Sequence, residues 1–223
     1  MEVAGRLLVE DAAVLRVEGR HLREQVDGEW LGEGATIMAT TIEVDAGGLI
    51  TADGQGYLGA PALGGPGAGP AGGADHLGGG HGGSGGITTD LPESQRPAAY
   101  GSFWEPVDPG SGGGRHNDGI GGPSGGGAIH LVVDSLVVHG EISADGIDGV
   151  YNSGGGAGRS TWIEVGNFSG TGLLTAAGGD EGHSGYAGSG AGGRIAVHHR
   201  GPVSFAGASA SAPAGAAYPA YSA

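Results

Sequence analysis

Three short stretches of the chain repeat one pattern: "GGLITADG" at 47–54, "GEISADG" at 140–146 and "GLLTAAGG" at 172–179. In each, glycines bound a branched apolar residue, a serine or threonine, and an alanine. One such unit cannot bury its own apolar side chain, so its recurrence restricts the chain to folds in which equivalent residues stack on one another. The longer windows "TTIEVDAGGLITADG" (40–54), "AIHLVVDSLVVHGEISADG" (128–146) and "TWIEVGNFSGTGLLTAAGG" (161–179) add an alternating strand and a turn before the glycine-bounded strand. Gly140 and Gly172 stand 32 residues apart, and Ile163 and Ile195 stand 32 apart again. "RIAVHHRGPVSFAGASASA" (194–212) reads as a degenerate fourth copy. An earlier one lies in "GRLLVEDAAVLRVEG" (5–19), where Leu7, Val9, Leu15 and Val17 alternate with polar residues, for about five rungs in all. Residues 6–26 have helix-forming composition, but Gly19 would cost a helix interior about 1 kcal/mol relative to alanine, which favours strand.

The expected fold is all-β, a right-handed parallel β-helix. Ile50, Ile142 and Leu174 form an inward ladder, and Ala52, Ala144 and Ala176 point the same way by period two, where only a methyl fits. The flanking glycines are expected to turn the corner with positive φ, and Asp53-Gly54 and Asp145-Gly146 suit tight turns.

Glycine supplies 55 of 223 residues and aromatics only 5%, which excludes a conventional core of large side chains. Apolar residues still make up 38%, in short blocks between glycine-rich stretches. Those stretches are a long insertion at 55–127 and shorter ones at 147–160 and 180–193. Disorder is the default for such composition. The ordered alternative is a set of extended helices with three residues per turn, packed side by side through backbone hydrogen bonds over one face of the solenoid, as in polyglycine II. The whole chain is then one domain, with rungs in 1–54, the insertion at 55–127, rungs in 128–208 and a tail of small residues at 209–223.

All nine basic residues are arginines, and the formal charge is −15. Nucleic acid and acidic membrane surfaces are therefore poor partners. There is no cysteine and no apolar run of transmembrane length. "MEVAGRLLVEDAAVLRVEGR" places charges where a signal peptide needs its apolar segment, so an exported chain is a mature form, a segment of something longer, or the client of another route.

The chemical motifs are weak. His76, His81, His116, His183 and His198-His199 accompany Asp75, Asp118, Asp180 and Glu181 without any metal-ligand spacing, and the calcium nonapeptide pattern fails at Asp75. No glycine-rich stretch continues into Lys-Ser or Lys-Thr, as a phosphate loop requires. No cofactor is expected. Glu43, Asp134 and Glu164 face outward on related strands, where stacking could pair two for polysaccharide hydrolysis; a solvated acidic face is the plainer expectation. Trp30, Trp104, Trp162, Phe103, Tyr57, Tyr100 and Tyr151 are candidates for a sugar-stacking platform, and "AAYGSFWEPVDPGSGG" (98–113) is the one dense cluster. Tyr100, Phe103 and Trp104 are its candidate ligand contacts, against the alternative that the aromatics plug the solenoid and cover the insertion.

The succession "GLITADGQGYLG", "PGSGGG", "GGGAIHLVV", "GEISADG", "GGGAGRSTWIEVG", "FSGTGLLTAAGG" and "GAGGRIAVHH" resembles the glycine-rich repeat region of large bacterial extracellular or surface proteins, over roughly residues 36–212. The resemblance implies a secreted or surface β-solenoid beside adhesion-type modules, and it carries over no catalytic residue. The expected function is a structural or adhesive protein outside the cell or on its surface, whose copies join end to end into a filament, because an uncapped solenoid exposes strand edges. Pro213, Tyr218 and Tyr221 in the tail are candidate subunit contacts. The alternative is a carbohydrate-binding or polysaccharide-degrading module, with surface glycans as partners. Ice binding through threonine rows is weaker, since Thr51, Ser143 and Thr175 align without flanking rows.

Overall fold

The computed structural model describes residues 1–63, 65–88, 91–115, 119–182, 185–205 and 209–217. Its strands are β1 (Glu2–Val9), β2 (Val14–Arg16), β3 (Ala35–Val44), β4 (Leu49–Thr51), β5 (Ile129–Val138), β6 (Glu141–Ser143), β7 (Ser160–Gly170), β8 (Leu173–Thr175), β9 (Arg194–His199), β10 (Val203–Ser204) and β11 (Ser209–Ser211). One sheet runs β1-β3-β5-β7, with β9 and β10 both on β7; the other runs β11-β8-β6-β4-β2. Every pairing between these strands is parallel, and the chain visits the two sheets in turn, so it winds as a β-solenoid with five strand levels per sheet. Residues 1–19 supply the first level as strands, not as a helix.

The repeated motif is the strand of the second sheet. Ile50, Ile142 and Leu174 pair in register and are fully buried, as are Ala52, Ala144 and Ala176 beside them. In the first sheet the matching ladder is Ile37, Leu131, Ile163 and Val197. Each fully buried Ile or Leu in such a ladder stabilises by about 1.5–3 kcal/mol. The long strands change parity midway. In β5 the inward set is Ile129, Leu131 and Val133, then Leu136 and Val138, and β7 makes the same slip at Gly166-Asn167. Because the slip recurs level on level, the sheet bends and wraps the core on two sides.

Two expectations need correction. The glycines bounding the motif are mostly required by closeness, not by positive φ. A Cβ on Gly140 would lie 2.2 Å from the Gly48 carbonyl oxygen, and one on Gly172 2.2 Å from that of Gly140. Only Gly47 and Gly54 combine the motif with a left-handed φ. The spacing of 32 holds from β5 to β7, where Ile129 meets Thr161, but the next step is longer: Ile195 stands beside Thr161, and Ile163 beside Val197.

The remaining side is built by the glycine-rich segments. Residues 154–158 show its rule, at 2.8–3.0 Å. Gly154 and Ala157 donate to the carbonyls of Gly114 and Ser111, Gly155 and Gly158 to those of Gly188 and Ala191, and Gly156 to that of Ile147. Likewise Gly110 and Gly113 donate to Gly126 and Pro123, and Gly188 and Ala191 to His76 and Gly79. A strand sends its donors alternately to two sides, whereas here donors three residues apart return to the same neighbouring segment. Side chains are excluded between them: a Cβ on Gly156 would lie 2.1 Å from the Ser124 carbonyl oxygen, and one on Gly190 1.9 Å from that of Gly156.

The corner between the second sheet and the glycine side is polar. Asp53 Oδ1 accepts from the Ser143 hydroxyl at 2.6 Å and from the Asp145 N–H at 2.7 Å, and Asp145 Oδ1 accepts from the Ala177 N–H at 2.6 Å, so one carboxylate ties each level to the next. Arg159 is wholly buried there and donates to the carbonyls of Ser143 at 3.1 Å and Ala52 at 3.4 Å. Burial lowers its pKa to about 9 against the opposing pull of Asp53 and Asp145, so it remains charged at neutral pH.

Two substitutions test this packing. Ile142→Asp places an unpaired charge in the ladder and should abolish the cooperative melting transition; a retained transition would remove Ile142 from the core. Gly156→Ala should lower stability by about 1–3 kcal/mol through overpacking. Gly83→Ala, where an added Cβ meets nothing within 4 Å, should leave the melting temperature nearly unchanged. Equal shifts at the two glycines would contradict a close-packed glycine side.

Candidate functional site

Outward positions of the first sheet stack as strictly as inward ones. Thr36, His130, Trp162 and Ala196 share one register row, and Met38, Val132, Glu164 and His198 share the row two residues further along. Two flat rings held one strand spacing apart stack face to face: His130 and Trp162 lie 3.9 Å between centroids at 5°. His130 Nε2 meets Glu164 Oε1 at 3.0 Å, and its Nδ1 faces the Thr36 hydroxyl at 3.3 Å. A carboxylate can only accept, so Nε2 donates to Glu164, while Nδ1 shares a hydrogen bond with the Thr36 hydroxyl. Trp162 Nε1 donates to His198 Nδ1 at 3.4 Å, and the Trp104 ring tilts over His198 at 4.5 Å. The result is an aromatic strip from β5 to β9, with Thr36 of β3 at its edge.

Trp104 comes from the long insertion. Between Tyr100 and Pro109 the chain forms a loop whose turn is set by Ser102 Oγ, which accepts the N–H groups of Trp104 at 3.2 Å and Glu105 at 3.0 Å. Pro106 and Val107 of the same loop, with Glu33, Thr36 and His130, line a groove of about 260 Å³ beside the strip. Phe103 is 82% exposed and Trp104 62%.

Tyr100 does not join this surface. Its hydroxyl donates to the Pro109 carbonyl at 2.5 Å and accepts from the Ser111 hydroxyl at 3.0 Å, which ties the two ends of the loop together, and burial pushes its pKa well above the ordinary phenol value. Its carbonyl accepts from Arg194, and its ring packs edge-on against His81. His81 is fully buried, with Nε2 3.3 Å from the Ser160 hydroxyl. The pair has the atoms of a nucleophile and base. However, Ser160 is also fully buried and donates to the Asp108 carbonyl at 2.8 Å, so no substrate reaches it.

The other candidates separate. Glu43 forms an ion pair with Arg6 and is in register with Val137, while Glu164 is in register with Val132; Asp134 lines a different groove with Arg200. The three outward carboxylates are not brought together. Tyr57 is buried against Trp30 and accepts the Gly32 N–H at 2.9 Å, whereas Tyr151 is exposed away from the strip. Among the described residues no group of three or more His, Cys, Asp or Glu is placed to hold a metal ion, and no helix is long and apolar enough to cross a membrane. His116, Asp118, His183, Tyr218 and Tyr221 lie outside the described residues.

Pro213 is described, in a tail that pairs with its own chain. Ser209–Ser211 pairs with β8 of its own chain, the Pro213 carbonyl accepts from Gly178, and Asp180 Oδ1 accepts from Ala216 at 2.6 Å. The described part of the tail is the last level of its own solenoid, because the inward ladder at Leu174 needs cover. Pro213 remains exposed on the outer side of that level. Sequence reasoning passed over Trp162, His130 and His198 as a group. The available signal was a tryptophan at an outward position with a histidine 32 residues before it.

No protein-family model matches the chain, and no curated protein or solved structure matches it.

His81 makes the loop base sensitive to acid. Burial, then the charges of Arg194 and Arg159, lower its pKa from 6.5 to about 3. The unfolded chain therefore takes up a proton between those values that the folded chain refuses. The stabilisation is complete above pH 6.5 and is lost as the pH falls toward 3, by several kcal/mol at about 1.4 kcal/mol per unit. Glu141 and Asp145, whose pKa values burial raises, act in the opposite sense in the lower part of the range. His81→Gln should flatten the melting temperature between pH 6.5 and 4.5, and an unchanged slope would assign the acid sensitivity elsewhere.

Proposed function

We propose that the protein is a non-catalytic structural and adhesive solenoid of the cell surface or the extracellular space, whose copies stack head to tail into filaments. The observation that carries this is the state of the two end faces. At one end β1 and β2, and at the other β9, β10 and β11, have a strand neighbour on one side only. The last apolar layers are only partly covered: Leu7 and Leu15 at the first end, and Ile195, Val197 and Phe205 at the other. Val14 and Val203 are exposed on the two ends.

The ends also differ in charge. Residues 1–33 contain eight carboxylates and four arginines, whereas residues 194–223 contain two arginines, two histidines and no carboxylate. Unlike faces of opposite sign favour a heterologous contact, which propagates as a fibre where it does not close into a ring. The surface location is supported by the resemblance in block order to glycine-rich repeats of bacterial surface proteins. The absence of catalysis is proposed because the outward carboxylates stand out of register and the Ser160–His81 pair is buried.

Electron microscopy of the purified chain should show filaments. Five levels at about 4.8 Å each give an axial repeat near 24 Å. Val14→Lys combined with Val203→Lys, which places charges on both edges, should disperse them without changing the β content. Dispersed wild-type monomers, or filaments undiminished in the double variant, would overturn the proposal.

A further inference from the structure

We propose that the groove and aromatic strip over the first sheet form a binding site for a neutral pyranose oligosaccharide. A pyranose ring offers a flat face of C–H groups and an equatorial rim of hydroxyls. Its recognition therefore calls for exposed ring faces with polar atoms at their edges. The strip supplies both. In the row Thr36, His130, Trp162, Ala196 the stacked rings end at a methyl, so the Trp162 face turned toward β9 has no ring against it from that row. Trp104, from the loop, stands exposed over His198, and Phe103 next to it in the chain is exposed as well. Trp162 engages only Nδ1 of His198, and His130 only one oxygen of Glu164, which leaves His198 Nε2 and the second Glu164 oxygen for ligand hydroxyls.

Charge selects among sugars. Glu33 lines the groove, Glu105 precedes its Pro106 and Glu164 meets its His130, while Arg194 on β9 is engaged by the carbonyls of Tyr100 and His81. An anionic uronate or sialate meets carboxylates there, and a neutral sugar does not. From Thr36 on β3 to His198 on β9 the strip crosses four strand levels, roughly 15 Å, which suits a short chain of rings more than a single one. The rings are already stacked and hydrogen-bonded, so little side-chain freedom is lost on binding. The site lies on the outward face of the first sheet and reaches its last level at His198 on β9.

The test titrates the protein with cellohexaose and with maltohexaose, using hexagalacturonic acid as the anionic control, and follows tryptophan fluorescence. At least one neutral hexasaccharide should bind saturably in the millimolar range, more tightly than the galacturonide. Trp162→Ala and Trp104→Ala should each weaken binding roughly tenfold, while Tyr151→Ala should not. Trp104 lies on an exposed loop, so its variant reports on binding even where Trp162→Ala perturbs the sheet. Failure of both neutral sugars to bind, preference for the galacturonide, or unchanged affinity in Trp104→Ala would overturn the site. So would loss of self-association in Trp104→Ala without any sugar effect, which would make a second copy the occupant.

Discussion

The direct approach of one backbone to another on the glycine side governs the rest of the molecule. Ordering glycine loses more conformational freedom than ordering any other residue, and a glycine has no side chain to bury in return. Each hydrogen bond returns only about 0.5–1.5 kcal/mol net. The glycine segments therefore cannot order alone. They need acceptors already fixed in space, which the apolar ladders of the two sheets provide by setting the level of every turn. Gly156, for example, donates to Ile147 and accepts from Gly179, in segments that follow β6 and β8. In return, the glycine side closes the third face over Ala52, Ala144 and Ala176, where the sheets contribute only methyl groups.

This dependence explains why the corner between the two systems carries the buried polar groups. The carbonyls at this corner take backbone and side-chain donors together: Ala52 accepts the N–H groups of Gln55 and Gly127, and Ser143 that of Ala52. Arg159 spans two of them, at Ala52 and Ser143, with a guanidinium that stays charged despite complete burial. A lysine would present a single point of donation to carbonyls on two different levels. Asp53 and Asp145 supply the balancing charge and tie successive levels through their N–H acceptors.

The parts of this architecture legible in the sequence are those written in side chains. Ile50, Ile142 and Leu174 announce a stacked ladder because apolar residues recur in one setting, and the pairing follows. Glycine carries no such code. Nothing in "GGGAGRS" names Gly114, Gly188 or Ile147 as acceptors, so the partners of these glycines were not legible. The same limit explains the misplaced register at β9, where the segment between β8 and β9 lengthens the step. It also explains the tail, whose small residues fit their own solenoid as well as a neighbour's. Tyr100 and Trp104 sit four residues apart in one dense cluster, yet one anchors the loop and the other faces solvent. That difference depends on Pro109 and Ser111 closing the loop behind Tyr100.

Where glycine backbones pack directly on one another no side chain stands between them, and the candidate recognition surfaces described above lie on the outward rows of the first sheet, the loop from the insertion, and the two ends. These surfaces are perpendicular: stacking extends the molecule along its axis, whereas the strip of His130, Trp162 and His198 lies on its flank. In a head-to-tail assembly the flank site would recur at every subunit, and weak single contacts to a polymeric ligand would add through effective concentration, not through tighter chemistry at any one site. Millimolar binding by one groove is then compatible with firm adhesion by many. In the proposed assembly, copies stacked along the axis of the turns would place identical grooves in a row.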